Sequence, residues 1–106
     1  MAWIYLFFAG VFEVVWSSTM KQSEGFTKLT PSIITAVTML ISLWLLALAM
    51  RTLPLGTAYA IWTGIGAVGA FIVGIVAFGE AATLFRIMSV CLIVAGLIGL
   101  KLGSGH

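Results

Sequence analysis

Four stretches of about twenty mostly apolar residues fill almost the whole of this sequence. They cover approximately residues 2–20, 31–50, 57–79 and 83–102, and every charged residue except Glu13 lies between them or near their ends. An α-helix rises about 1.5 Å per residue, so about 20 residues cross the roughly 30 Å hydrocarbon core of a bilayer. The sequence therefore predicts an all-α integral membrane protein, with a single domain of four transmembrane helices over residues 1–106.

The composition is typical of a protein that is embedded in a lipid bilayer. Of its 106 residues, 62% are hydrophobic and 8% are charged, whereas charged residues make up about a quarter of a soluble domain. Five basic and three acidic side chains are too few to form a surface for nucleic acid. The sequence contains no catalytic triad, metal-ligand cluster or phosphate-binding loop, and its one histidine, His106, is the last residue. We therefore expect no enzymatic activity, no metal and no cofactor.

The connections between the apolar stretches are short. Pro54 and Gly56 predict a tight turn between the second and third helices, and Pro31 suits the first turn of the second helix. Consecutive helices are therefore expected to be antiparallel neighbours. Residues 103–106 are expected to form a frayed tail.

The distribution of basic residues predicts an unusual orientation in the membrane. Lys21, Lys28 and Arg86 would face one side, and Arg51 and Lys101 the other, a margin of three against two. Basic residues in short loops determine which side of the protein faces the cytoplasm, and this difference is too small to favour one of the two orientations. We expect the chain to insert both ways up and opposite copies to form an antiparallel, dual-topology homodimer. Four helices alone also have scarcely enough interior to enclose a substrate.

The fourth helix contains a stripe of small residues. Ala95, Gly99 and Gly103 repeat at a spacing of four, with Gly96 beside them. Such stripes let helix backbones approach closely in a membrane. Ala95, Gly96 and Gly99 are therefore predicted to lie in the dimer interface, with packing inside one subunit as the alternative.

Glu13 is the only charged residue near the middle of an apolar stretch. An ionisable group at the centre of a bilayer costs on the order of 3 kcal/mol, so it is rare unless it faces a protein interior or a water-filled path. Helical spacing places Gly10, Trp16 and Ser17 on the same face as Glu13. These residues offer the carboxylate a gap, an indole N–H and a hydroxyl.

The second and third helices carry further polar groups at a similar depth. Each is a weak signal alone, because Tyr and Trp near helix ends often anchor the interface and a single Ser often bonds its own backbone. Together with Glu13 they predict a hydrogen-bonded site. The residues are Ser42 with Thr38 and Met39 in the second helix, and Tyr59, Trp62 and Thr63 in the third.

One carboxylate can hold either a proton or a cation, and competition between the two is the minimum chemistry of an exporter driven by protons. Gly64 and Gly66 follow the polar face of the third helix and predict a hinge, which would let the helix bend differently in two copies. Alternating access would then exchange two shapes around a site near the midplane. Close packing of helices is the alternative explanation for these glycines.

The sequence resembles the small multidrug resistance family of proton-coupled exporters along essentially its whole length. The resemblance lies in Glu13, in KQSEGFT at 21–27, in PLGTAYAIW at 54–62 and in the pair Gly64 and Gly66. It implies an antiparallel homodimer in the bacterial inner membrane, in which a shared glutamate exchanges protons for a cation.

Within that family the sequence is more similar to the guanidinium exporters. Trp16, Ser42 and TGIGAVGA at 63–70 carry this likeness, and the drug exporters tend to have a small residue in place of Trp16. The likeness implies that Glu13 binds protons and guanidinium, including small substituted guanidiniums. Trp16, Ser42, Tyr59 and Trp62 would hold the cation by hydrogen bonds, with Gly10, Met39 and Thr63 lining the site.

Two other functions stay open at this point. The first is a broad exporter of quaternary ammonium and aromatic cations, which differs from a guanidinium exporter in whether large cations are transported. The second is a membrane scaffold that transports nothing, or one half of a heterodimeric pair. In a scaffold, Glu13 would be a structural hydrogen-bond partner.

Overall fold

The computed structural model describes residues 1–104, which form four α-helices and no strand. Each helix is long and apolar enough to cross a membrane, so the predicted four-helix transmembrane architecture is confirmed. The helices are α1 (Ala2–Gln22), α2 (Leu29–Ala49), α3 (Leu55–Phe78) and α4 (Leu84–Ser104).

The helix ends lie within two residues of the expected ones, and the fourth helix continues into the segment where a frayed tail was expected. Residues 103 and 104 belong to α4. Lys101 lies in the last turn of α4, where a positive charge interacts favourably with the helix dipole. Gly105 and His106, the rest of the expected tail, lie outside the described residues.

Ser23 organises the connection between α1 and α2. Its buried hydroxyl donates to the Met20 carbonyl at 2.6 Å and accepts from the Phe26 amide at 3.0 Å. Glu24, Gly25 and Phe26 then all adopt positive φ angles, of 50°, 76° and 67°. These angles reverse the chain within a few residues, and α2 begins so soon that Pro31 is its third residue.

α1 lies at the centre of the packing. It contacts α2 and α3 extensively, α4 contacts α3, and α2 meets α3 in few places. Consecutive helices therefore contact each other, but α2 and α3 do so only over a small area, because α1 packs against both of them. The chain measures 43 × 34 × 16 Å. The chain is therefore a flat slab.

The buried apolar residues lie where α1, α2 and α3 meet. By contrast, no residue of α4 from Leu84 to Gly103 is buried within the single chain. Such an apolar surface suits contact with lipid or with a second protein. The core residues are Leu6, Ala9, Leu46, Ala49, Leu53, Ala58, Ile61 and Trp62.

Candidate functional site

Glu13 lies near the middle of α1, and its carboxyl group packs directly against Gly66 of α3. A Cβ atom built on Gly66 would overlap Oε1 and Cδ of Glu13. The missing side chain of Gly66 therefore creates the space that the carboxyl group occupies. We expected Gly10 to provide this gap, but the space beside Gly10 is filled by the side chain of Ile65.

Two of the predicted site residues, both on α1, each have a buried polar atom without a hydrogen-bond partner. Oε1 of Glu13 and Nε1 of Trp16 are buried and make no hydrogen bond to any described residue. A buried polar group without a hydrogen bond destabilises the folded state by about 1–3 kcal/mol, and by more when it is charged. Ser17 does not satisfy Glu13, because its hydroxyl donates to the Val14 carbonyl at 3.1 Å. The Glu13 carboxyl group is therefore ready to accept a donor from outside this set of residues.

Ser42 connects three helices through buried hydrogen bonds. The Trp62 indole of α3 donates to the Ser42 hydroxyl of α2 at 3.0 Å, and that hydroxyl donates to the Ala9 carbonyl of α1 at 2.6 Å. In a regular helix the Ala9 carbonyl also accepts from the backbone amide of Glu13. Ser42 thus attaches α2 and α3 to the helical turn that carries Glu13.

The aromatic residues of α3 extend this group of side chains to an open face. The rings of Tyr59 and Trp62 lie 5.6 Å apart between centroids, at 47° to each other. Trp62 is buried, whereas Tyr59 is 53% exposed, and Thr63 is exposed as well. Polar groups exposed at membrane depth are costly in lipid, so this face of α3 suits a water-filled cavity or a second subunit.

The structure brings some of the predicted site residues together and leaves others apart. Ser42, Tyr59 and Trp62 form one connected group, whereas Oε1 of Glu13 and Nε1 of Trp16 make no hydrogen bond to it or to each other. Met39 is partly buried in α2. No three metal-ligating side chains within residues 1–104 come together to hold a metal ion.

A second link between α1 and α2 was not expected from the sequence. The hydroxyl groups of Thr19 and Thr35 lie 2.6 Å apart, and Thr35 also donates to the Pro31 carbonyl at 2.8 Å. Thr35 is 1% exposed, so this pair is a buried polar contact. A threonine on each of two neighbouring helices was the available signal, but threonines in membrane helices usually bond their own backbone, as Thr38 does here.

The proposed hinge glycines both have close neighbours. α3 runs unbroken from Leu55 to Phe78. A Cβ on Gly64 would overlap the side chain of Leu97 of α4, just as one on Gly66 would overlap Glu13. Close packing therefore accounts for both glycines in this conformation, and the hinge stays a prediction.

The small residues of α4 face away from the subunit. Ala95 is exposed, and a Cβ on Gly96, Gly99 or Gly103 would meet nothing within 4 Å. Packing inside one subunit, the alternative explanation for this stripe, is therefore not seen in the described chain.

Comparison with known proteins identifies the family. The profile of the family described as "Small Multidrug Resistance protein" matches residues 1–93. The chain belongs to the small multidrug resistance family. Members of this family are transporters, so the chain is a multi-pass membrane transporter and not an enzyme.

Curated relatives cover almost the whole chain. A protein of Yersinia pseudotuberculosis named "Guanidinium exporter" is 62% identical over 104 residues, which are 98% of this chain and 100% of the relative. Proteins with the same name from Proteus vulgaris and Citrobacter freundii are 58% and 60% identical over 98% of this chain, and over 100% and 99% of their own lengths.

Proposed function

We propose that this chain is a proton-coupled antiporter that exports guanidinium, and small substituted guanidiniums, across the bacterial inner membrane. The observation that carries this proposal is the part-buried Glu13 side chain at the middle of α1, which packs against Gly66 and whose buried Oε1 has no hydrogen-bond partner. The full-length similarity to proteins named guanidinium exporters supports the choice of substrate.

The chemistry of one carboxylate explains both ligands. Guanidinium is planar and only donates hydrogen bonds, whereas a carboxylate only accepts them, so the two fit through parallel N–H···O bonds. A proton bound to Glu13 removes the charge and one accepting position. Proton and guanidinium therefore exclude each other, and each can leave only when the other replaces it or when the site opens.

The family resemblance implies that Trp16 and Trp62 hold the cation by hydrogen bonds, but their chemistry does not allow this. An indole N–H only donates, and guanidinium has no acceptor, so Trp16 and Trp62 cannot bond the cation through nitrogen. They can place a ring face against it, or donate to an oxygen that holds it. Trp62 already donates to Ser42. We assign Ser42 and the Tyr59 hydroxyl as acceptors, with Trp16 donating to Glu13 and limiting the width of the site.

A second, antiparallel copy would complete the site. The flat single chain has little interior in which to enclose a cation, and the polar residues Tyr59 and Thr63 are exposed on it. The face of α4 with Ala95, Gly96 and Gly99 is uncovered and supports pairing through α4. Bending at Gly64 and Gly66 would then expose the two copies of Glu13 to one side of the membrane at a time.

Purified protein in liposomes tests the proposed exchange. A pH gradient across the vesicle should drive guanidinium against its own concentration gradient, and a guanidinium gradient should drive protons the opposite way. Both fluxes are measured together, with a solid-supported membrane for current and an internal dye for pH. A scaffold would give neither flux.

The same preparation separates the guanidinium exporter from the broad drug exporter. Trp16 stands one turn from Glu13, so we expect tetraphenylphosphonium to produce no proton flux of its own. Proton-coupled transport of that bulky cation at a rate similar to guanidinium would instead support the drug exporter.

Charge variants test the dual-topology dimer. The double variant Arg51→Gln, Lys101→Gln keeps basic residues on one side of the membrane only. The double variant Lys21→Gln, Lys28→Gln leaves more basic residues on the opposite side. Each double variant should insert mainly one way up, because basic loops stay in the cytoplasm. Reporters fused to the C-terminus should be active on one side for each variant and on both sides for the wild type.

Co-expression gives the functional control for this experiment. Each double variant alone should lose most guanidinium resistance, and the two together should restore it, since opposite copies can then pair. Full resistance from a variant that inserts in a single orientation would contradict an antiparallel dimer.

A further inference from the structure

A cavity of about 300 Å³ lies between the C-terminal halves of α1 and α3. Its lining begins with Ser17, one helical turn beyond Glu13 on α1, and with Ala67, the residue after Gly66 on α3. It continues past Lys21 to Glu80, in the connection between α3 and α4. The cavity thus extends from the depth of the proposed exchange site towards the membrane surface.

The carboxyl group of Glu80 folds back over α3. Gly79 ends the helix with a φ of 67°, a left-handed conformation, and the Glu80 amide donates to the Gly74 carbonyl at 3.0 Å. A Cβ on Gly74 would overlap Oε1 of Glu80. This repeats the arrangement of Glu13 over Gly66, about 12 Å further along the same helix. α3 therefore carries two glycines that each make room for a carboxyl group.

A guanidinium group already occupies the place beside Glu80, and it belongs to Arg86. Its Nη2 atom lies 3.7 Å from Oε1 of Glu80, and its Cζ lies 5.1 Å from the centre of the Phe71 ring. Its Nη1 donates to the Ala81 carbonyl. A carboxylate, an aromatic face and a carbonyl oxygen are the partners that free guanidinium would need. The Arg86 side chain carries the same chemical group as the proposed substrate, and it makes these three contacts within the chain.

We propose that Glu80, Phe71 and the Ala81 carbonyl form a transit site for guanidinium, which the Arg86 side chain occupies until the substrate displaces it. The inference rests on the proposed function and adds a second binding position on the route to Glu13. In an antiparallel dimer each face of the membrane receives one such site.

The strength and charge of the site fit a transit role. Both side chains of the Glu80–Arg86 pair are 40% exposed, and exposed ion pairs are weak, so another cation can replace Arg86 readily. Lys21 also lines the cavity and repels cations, and Glu80 is the one carboxylate among its described lining residues. Glu80 therefore supplies the attraction that brings guanidinium into the cavity.

Transport kinetics with charge-matched controls test this proposal. Glu80→Gln should raise the KM for guanidinium several-fold without changing the maximal rate, and Arg86→Gln should lower the KM. The exposed pair Glu24 and Lys28, at 3.4 Å in the connection between α1 and α2, lies on the same side of the membrane. Glu24→Gln and Lys28→Gln alter the net charge equally and should leave the KM unchanged.

Two further variants separate specific binding from charge and from folding. Arg86→Lys keeps the charge but removes the planar group, so it should lower the KM as Arg86→Gln does. Gly74→Ala should act like Glu80→Gln, because the new Cβ displaces only the flexible end of Glu80. Equal KM changes in the Glu80 and Glu24 variants would overturn the transit site, as would a KM for Arg86→Lys equal to that of the wild type.

A binding measurement on the Glu13→Gln variant tests the transit site independently of the proposed transport function. Guanidinium chloride, titrated at constant ionic strength with potassium chloride, should shift the NMR signal of the Arg86 Nε–H group towards that of free arginine. No shift overturns the transit site even if the wild type transports guanidinium. A shift together with no transport by the wild type supports the site and contradicts the exporter.

Discussion

Glu13→Gln is expected to abolish proton-coupled guanidinium transport, reducing the rate by about a hundredfold or more, to the level of protein-free vesicles. The glutamine amide has the same shape as the carboxyl group but carries no charge and does not take up a proton. The variant should therefore bind neither a proton nor guanidinium. Removing one partner of a buried ion pair typically costs about 3–5 kcal/mol, which corresponds to a factor of at least a hundred. The rate is measured from guanidinium-driven proton flux in proteoliposomes.

The stability of the same variant distinguishes a transport residue from a structural one. Because Oε1 of Glu13 is buried without a partner, removal of its charge should leave the melting temperature equal or higher. Glu24→Gln, the same change at an exposed carboxylate, should leave both transport and stability unchanged. Retention of coupled exchange in Glu13→Gln would refute the proposed site, and a large drop in melting temperature would indicate a structural role.

The four helices were predictable from the sequence because their length and hydrophobicity are set by the bilayer. Their ends were less predictable, since each depends on the conformation of a few residues. Ser23 and the three positive φ angles after it set the start of α2, and the left-handed Gly79 sets the end of α3. The serine and the glycines are visible in the sequence, but their backbone angles are not.

The contacts among the predicted site residues were harder to predict from the sequence than the depth of those residues in the membrane. Depth along a helix follows from residue counting, so Ser42 and Trp62 were correctly placed at one level, and they form a hydrogen bond. Rotation of one helix against another depends on contacts between side chains far apart in sequence. The filling of the Gly10 gap by Ile65, and the packing of Glu13 against Gly66, required the structure.

Four of the five glycines of α3 share one explanation in their contacts, whereas a Cβ on the fifth, Gly56, would meet nothing within 4 Å. Each of the four makes room for one side chain of another segment: Leu97 at Gly64, Glu13 at Gly66, Val14 at Gly69 and Glu80 at Gly74. A run of glycines that suggested a hinge therefore also forms a surface on which α1, α4 and the following connection pack. Two of the four positions hold carboxyl groups, which links the packing of α3 to the chemistry proposed for this transporter.

Gly66→Ala is therefore expected to impair transport while the protein still folds. The added methyl group overlaps the carboxyl end of Glu13, which is flexible enough to move away, and alanine favours a helix over glycine by about 1 kcal/mol. A displaced carboxylate should lose at least one charge-assisted hydrogen bond to guanidinium. Such a bond is worth about 1.5–3 kcal/mol, so we expect the KM for guanidinium to rise by roughly tenfold to a hundredfold.

Gly69→Ala is the matched control for this prediction, since it adds the same methyl group one turn further along α3. There the new atom meets the Val14 side chain, which adjoins Glu13 on α1 but carries no charge. It should therefore disturb the contact between α1 and α3 with a much smaller change in KM. Equal losses in the two variants would mean that α1 and α3 must slide closely past each other during transport, and that the position of the Glu13 carboxyl group over Gly66 has no special importance.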